Sequence, residues 1–373
     1  MEREFIVLCG EHYNPLGIIR SLGEAGVKPI AIVKKNEFQL TSKSKYIKKL
    51  HFVNSIEEGF NLLLETYANE KCPPYVYTAD DKTMTHIDQH YDEIRGRAFC
   101  FNAGKPGRIT FYMNKDNINR IAIKHGLNVL NATVVNKGEI PSGLEYPIIT
   151  KPIASTMGAW KGDMYICNSE KELKEAYEKI LSEKLLLQKY IHKKNEYCLE
   201  GLSVAHGQSV TISIASSYNY ILDNGYSPYM TVRNFDKPAL GEKLKEILKE
   251  IGYEGIFEIE FLVDENDQLW FCEINFRNST WSYASTCAGM NLPYKWAEYM
   301  RQGKIDSDFI KKVPSDFTAM VEVHDYANRV KTNKISKLQW FNELRKCKCR
   351  YFLGKNDLMP VLSMFMHKLE GKR

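Results

Sequence analysis

A chain of 373 residues with 44% hydrophobic and 26% charged side chains has the make-up of an ordinary globular protein in two or three lobes, not of a fibre or a disordered tail. A formal net charge of +5 is too modest to make nucleic acid an expected partner, and the lysines at 43, 45, 48 and 49 read as solvated surface. Nine cysteines without a CxxC pair argue for reduced thiols and against a zinc knuckle or a disulfide framework. The chain shows no basic-then-apolar leader and no apolar run of ~18 residues, so a cytoplasmic location without a membrane span is expected.

In chain order, an apolar run at 5–8 ends at Gly10, a loop covers 11–15, a helix is expected over 16–25 with Gly26 as its stop, and a second strand over 29–33. This β-loop-α-β order predicts a doubly wound α/β unit. Helical periodicity follows over 57–69, then a strand over 75–78 with Ala79-Asp80-Asp81 at its carboxyl end, where open α/β sheets bind ligands. The first loop reads CGEHYNPLG rather than GxGxxG, which argues against a nicotinamide enzyme. His12 and Asn14 in that loop, with Asp80 and Asp81 in the later one, are candidate substrate contacts.

From Asn114 the texture changes. A helix is expected over 115–126 and strands over 129–135 and 146–151, the last ending in Lys151. The loop ASTMGAWKGD contains Lys161, and its backbone amides from Ser155 to Gly158 could cradle phosphate oxygens. A strand at 164–167, a helix at 170–181 and strands at 185–191, 196–204 and 210–216 come next, then helices at 241–251 and 292–300. Lys115, Lys151 and Lys161 each fall at an element boundary, a placement suited to a triphosphate.

The most informative stretch is YEGIFEIEFLVDENDQLWFCEINFR, residues 253–277. It predicts two strands joined by an acidic turn, with Glu260 on the first and Glu273 and Asn275 on the second, followed by Arg277. Alternation puts Glu273, Asn275 and Arg277 on one face, and hairpin pairing can bring Glu260 opposite. Oxygen donors of this kind suit a hard ion such as Mg²⁺, and acids embedded among Phe257, Ile259, Phe261, Phe271 and Ile274 need an ion partner. Arg233, expected between the lobes, could bind a substrate carboxylate, while Ser279, Thr280 and Ser282 follow Arg277 closely enough to be substrate contacts.

The order of these motifs resembles the ATP-grasp superfamily over residues 5–300, and within it the carboxylate–amine ligase group of D-aspartate ligase-like proteins. The resemblance implies an ATP-grasp fold with a Rossmann-like pre-ATP-grasp domain at 1–113. A small lobe with the phosphate loop would follow at 114–191, a large lobe with the metal site at 192–305, and an accessory segment at 306–373. It implies ATP and Mg²⁺ as cofactors, with Mn²⁺ as a substitute. Lys115, Lys151, Ser155, Gly158 and Lys161 would hold phosphates. Gln188, Lys189, Tyr190 and Ile191 would form the adenine hinge and Glu196 would meet the ribose. Glu260, Glu273 and Asn275 would ligate metal, while Arg277 and Lys161 would be catalytic. Gln-Lys-Tyr stands where the group has Gln-Glu-Tyr, and Phe276 stands where proline usually follows the metal-site asparagine.

The implied activity is an ADP-forming ligase that joins a carboxylate to an amine through an acyl phosphate, on an amino acid, a peptide or a cell-wall precursor. A reading with bicarbonate or a thiol acceptor stays open, as does a catalytically silent nucleotide-binding regulator or partner subunit. A homodimer is the default for such folds.

Overall fold

A computed structural model describes residues 3–153, 160–222 and 226–370. The first sheet is wholly parallel, formed by β1 (Phe5–Cys9), β2 (Ile30–Lys34), β3 (Lys49–Val53) and β4 (Tyr75–Tyr77) in the order β3-β2-β1-β4. Its central strands, FIVLC and IAIVK, are apolar almost throughout because helices cover both faces. Two helices begin directly at the carboxyl ends of its strands. His12 caps Tyr13–Glu24, and Asp80 caps Asp81–Gln89 by accepting the Thr83 N–H at 2.8 Å.

The small lobe is an antiparallel sheet of β5 (Ala132–Asn136), β6 (Ile148–Pro152), β7 (Ile166–Cys167) and β8 (Lys184–Lys189), ordered β5-β8-β6-β7. Leu173, Ala176 and Tyr177 of the helix Glu170–Lys179 close a core of its own with Val135, Ile148, Leu185 and Leu187. The strand expected over 185–191 stops at Lys189, where Tyr190 turns its N–H to the Pro147 carbonyl at 2.9 Å.

The large lobe is a seven-stranded sheet. Its strands are β9 (Asn195–Val204), β10 (Ser209–Tyr218), β11 (Tyr229–Arg233), β12 (Gly255–Val263), β13 (Leu269–Asn275), β14 (Thr318–Met320) and β15 (Cys349–Arg350), ordered β13-β12-β9-β10-β11-β14-β15. Gly201 on β9 is held to glycine by close approach, since a Cβ there would press into the Phe257 ring and lie 2.5 Å from the Thr211 carbonyl oxygen. One continuous core joins this sheet to the first. At the junction the fully buried Trp296 packs edge-on against Tyr77 and Phe101, and the Tyr77 hydroxyl donates to the Pro293 carbonyl at 2.9 Å.

The segment 306–373 supplies β14 and β15 to the large sheet and also reaches back to the first domain. Arg20 and Asp357, each 1% exposed, form an ion pair at 3.1 Å. Arg20 also donates to the carbonyls of Tyr351 at 2.5 Å and Asp357 at 2.8 Å. The Asp357 carboxylate accepts from the Ser44 hydroxyl at 2.7 Å and the Lys45 N–H at 3.0 Å. Glu322, 3% exposed, ties the same strap by accepting the N–H groups of Tyr351, Phe352 and Leu353 at 2.9, 3.0 and 2.9 Å. Among the described residues no helix is long and apolar enough to cross a membrane.

Candidate active site

The hairpin expected from residues 253–277 forms as β12 and β13, and its register sets the site. Glu260 lies opposite Glu273 and Glu258 opposite Asn275, while across β9 Glu258 faces Glu200 and Glu260 faces Cys198. A register shift falls immediately after Glu260, which sets the acidic positions apart from the ordinary ladder beyond Phe261. Four carboxylates and a carboxamide therefore share one face of the central strands. The Asn275 Nδ2 donates to Glu258 Oε2 at 2.9 Å and Glu260 Oε1 at 2.8 Å, and its Oδ1 accepts from Arg277 Nη2 at 3.0 Å.

The electrostatics follow from that crowding. Burial, reinforced by Glu258, Glu273 and Glu196, pushes the Glu260 carboxyl well above its usual range. Glu258 is raised by burial and by Glu200. Glu200, fully buried, is pushed up to about 7 by desolvation, although the hydroxyls of Ser279 at 2.7 Å and Ser282 at 2.6 Å hold its ionised form. Glu273 goes the other way, held low chiefly by the charge of Lys115.

Cations frame the acids. Asn114 caps the helix Lys115–Lys124, so Lys115 springs from its first turn and reaches Glu273 Oε2 at 2.5 Å. Burial alone would lower the Lys115 pKa, but the Glu273 carboxylate outweighs it and raises it. Lys151, near the end of β6, donates to Gln188 Oε1 on β8 at 2.8 Å. Arg277 donates through Nε to Asp81 Oδ1 at 2.5 Å, and that carboxylate overcomes burial to raise the arginine's pKa. The pair joins the hairpin to the carboxyl end of β4 in the first sheet.

The structure thus brings together Lys115, Lys151, Gln188, Glu260, Glu273, Asn275 and Arg277. Glu196, 8% exposed, sits on the same face of β9 and accepts from Lys193 at 2.5 Å. The hinge residues Lys189 and Tyr190 have their N–H groups committed to the carbonyls of Asn131 and Pro147, at 2.8 and 2.9 Å, and Ile191 follows outside the strand. Ser155 and Gly158 lie outside the described residues, and Lys161 is described only through the backbone of the 3-10 turn Trp160–Asp163. Arg233 stands exposed at the end of β11. Ser279 and Ser282, each 1% exposed, have their hydroxyls committed to Glu200, so they brace the acidic cluster instead of standing free for substrate. Thr280 instead donates to Asn14 Oδ1 at 2.9 Å, joining the segment after Arg277 to the first strand-end loop.

Sequence reasoning missed Glu200 and Glu258. The two-residue spacing of Glu258 and Glu260 on an alternating strand was a signal for the second of these. No local signal exists for Asp81 as the partner of Arg277, 196 residues away.

The oxygen donors Glu260, Glu273 and Asn275 suit a hard divalent cation. Burial first, and the neighbouring Glu258 and Glu273 after it, raise the Glu260 pKa, a cost that a cation held by Glu260 and Glu273 would offset. Among the described residues no three His, Cys, Asp or Glu side chains form a ready metal cage, so Glu260 and Glu273 would need the Asn275 amide oxygen or substrate oxygens to complete one.

A protein-family model, "Carbamoyl-phosphate synthase L chain, ATP binding domain", matches residues 108–299, a little over half of the chain. The chain belongs to that family. Its fold is the ATP-grasp fold, as the sequence resemblance implied: N5-carboxyaminoimidazole synthetase from Staphylococcus aureus superposes with a TM-score of 0.63 at 16% identity, covering 90% of this chain and 88% of that one. The L-amino acid ligase from Bacillus licheniformis superposes with a TM-score of 0.62 at 13% identity, covering 81% and 75%. In sequence, the chain is 25% identical over 291 residues to the 2-oxoglutarate carboxylase small subunit of Hydrogenobacter thermophilus, covering 70% of this chain and 58% of that one. It is 30% identical over 138 residues to N5-carboxyaminoimidazole ribonucleotide synthase of Staphylococcus aureus, covering 35% of this chain and 34% of that one. The chain therefore spans less than two thirds of either curated relative.

Proposed function

We propose that the protein is an ATP-dependent, ADP-forming ligase that activates a carboxylate as an acyl phosphate and passes it to an amine, on an amino acid or a peptide-like substrate. The observation that carries this reading is the alignment of Glu260 opposite Glu273, with Lys115 paired to Glu273 and Asn275 and Arg277 following along the same segment. A nucleotide-binding regulator has no need of a charge-neutralising arginine beyond its phosphate lysines.

In this reading Lys115, Lys151 and Lys161 bind the phosphates and Glu196 the ribose. The hinge of Gln188, Lys189, Tyr190 and Ile191 borders the adenine. Glu260, Glu273 and Asn275 would hold Mg²⁺, which when bound neutralises phosphate charge and orders the oxygens for in-line transfer. Arg277, already oriented by Asp81 and Asn275, places a fixed positive charge where charge develops on the transferred group, at no reorganisation cost. The resting pairs Lys115–Glu273 and Lys151–Gln188 must exchange partners as nucleotide enters.

The test is ADP release from Mg-ATP across a panel of amino acids and small carboxylates, each with and without pooled amines, with Glu273→Ala as the blank. Turnover that needs one acid and one amine and disappears in the variant is the expected result. ADP that never exceeds the blank while ATP still binds would leave the regulator reading in its place. Relatives named as carboxylases give a specific reason for a second reading, in which bicarbonate is the acid activated. Bicarbonate therefore belongs in the panel.

A further inference from the structure

A cleft of about 540 Å³ opens between the helix Lys115–Lys124 and the small lobe, within the range of roughly 300–1,000 Å³ typical of small-molecule sites. It lies apart from the nucleotide constellation. Antiparallel pairing sets Ile148 opposite Lys189 and Thr150 opposite Leu187, whereas Ile149 lies opposite Gln188. Successive strand residues face opposite ways, so Gln188 and Lys151 share one face of the small sheet, and Ile148, Leu187 and Lys189 share the other. The cleft is walled from that second face by Ile148, Leu187 and Lys189, with Thr133 of β5, the partner of Leu187, beside them.

The floor of the cleft is apolar and its rim polar. Ile148 and Leu187 are each 1% exposed and Leu130 is 5% exposed, while Arg120, Glu145 and Lys189 stand open to solvent around them. On the helix side sits Asn119, one turn beyond Lys115 and only 8% exposed. Among the described residues its carboxamide has no hydrogen-bond partner, so what it meets is whatever fills the cleft. An amide taken mostly out of water without a partner is a cost that an apolar side chain of its size would not carry. Arg120 already pairs with Asp116 at 2.8 Å, which leaves Lys189 and Glu145 on the rim without ion pairs among the described residues. One free charge of each sign suits a zwitterion, and a phosphate would call for paired cations.

We propose that this cleft is a second binding site, for a zwitterionic molecule of dipeptide size. Its peptide group meets Asn119, its terminal charges meet Lys189 and Glu145, and an apolar side chain rests on Ile148 and Leu187. The pairing with Asn119 is specific because a carboxamide donates through its NH₂ and accepts through its oxygen, and a peptide group supplies the matching acceptor and donor. The site does not depend on the ligase reading, although that reading supplies such a molecule as a product. A ligand seated there touches both the helix that carries Lys115 and the lobe that carries Lys151, without occupying the face on which Lys151 meets Gln188.

The test is calorimetric titration of the full chain with L-alanyl-L-leucine, against a mixture of L-alanine and L-leucine and against the same dipeptide methylated on its amide nitrogen. The dipeptide should bind, and both controls should bind at least roughly tenfold more weakly. Asn119→Leu should weaken the dipeptide at least roughly tenfold while the unfolding temperature stays level or rises, a combination that a merely structural asparagine would not give. Thr133→Phe, which narrows the cleft from its exposed β5 wall, should weaken binding as well and decides the matter if Asn119→Leu fails to fold. Absence of dipeptide binding, equal affinity in either variant, or displacement of the dipeptide by saturating Mg²⁺ and a non-hydrolysable ATP analogue would each overturn the proposal. No ADP is measured here, so a failed ligase reading leaves the cleft standing, and a failed cleft leaves the ligase.

Discussion

Replacing Arg20 by methionine tests the tie between the C-terminal strap and the first domain. Methionine fills most of the space of the arginine stem but removes every donor. Asp357, buried at 1% exposure, keeps Ser44 and the Lys45 N–H but loses its counter-charge, and the carbonyls of Tyr351 and Asp357 lose their partners. Breaking one side of a buried ion pair costs about 3–5 kcal/mol. The two remaining donors on Asp357 place this case near the lower end, about 3 kcal/mol. In urea unfolding followed by circular dichroism, with an m-value of about 3 kcal/mol/M for a chain of this size, the midpoint should fall by about 1 M. The double variant Arg20→Met, Asp357→Leu should recover part of that loss, since it strands no charge although Ser44, the Lys45 N–H and two carbonyls lose their partners. A single variant that loses less than about 1 kcal/mol, or a double variant no better than the single, would refute this account of the junction.

Two further outcomes follow from the site and its floor. Glu200 has its pKa raised from its ordinary value to about 7, so the folded state holds a proton that the unfolded chain releases. Its cost to stability is absent below the unfolded pKa and grows as pH rises through 7, by on the order of 3 kcal/mol. Glu200→Gln should therefore flatten the fall in stability between pH 5 and 8 seen by denaturant titration, and an unchanged slope would assign the fall to Glu258 and Glu260 instead. Gly201→Ala should lose about 2 kcal/mol or more, because the Thr211 carbonyl 2.5 Å from the new methyl belongs to the adjoining strand and cannot swing away. Thermal unfolding within a degree of the parent would show that the sheet yields there.

Much of this architecture is legible in the sequence where one segment carries its own signal. The hairpin at 253–277 announces itself by alternation on both sides of an acidic turn, and the helix from Lys115 by its asparagine cap and the glycine that follows it. The strands β14 and β15, with three and two residues, are too short to show any period, so the segment holding them looked featureless. Glu200 was hidden in an apolar run that reads as plain core, and Glu258 was marked only by its two-residue spacing from Glu260. Their meaning comes from strand order, which sets β9 beside β12. The same holds for Arg277 with Asp81 and Arg20 with Asp357, where pairing across the fold, not local pattern, decides what a charge is for.

The distance along the chain between Arg20 and Asp357 also has a consequence for synthesis. The two are separated by 337 residues, so at 5–20 residues per second Arg20 waits roughly 20–70 s on the ribosome before its partner is made. During that interval the first sheet can assemble, but a buried guanidinium has no carboxylate to meet. The surface destined for the strap stays open, with Ser44 and the Lys45 amide still facing water. Closure of that surface waits until residues 351–357 have been made.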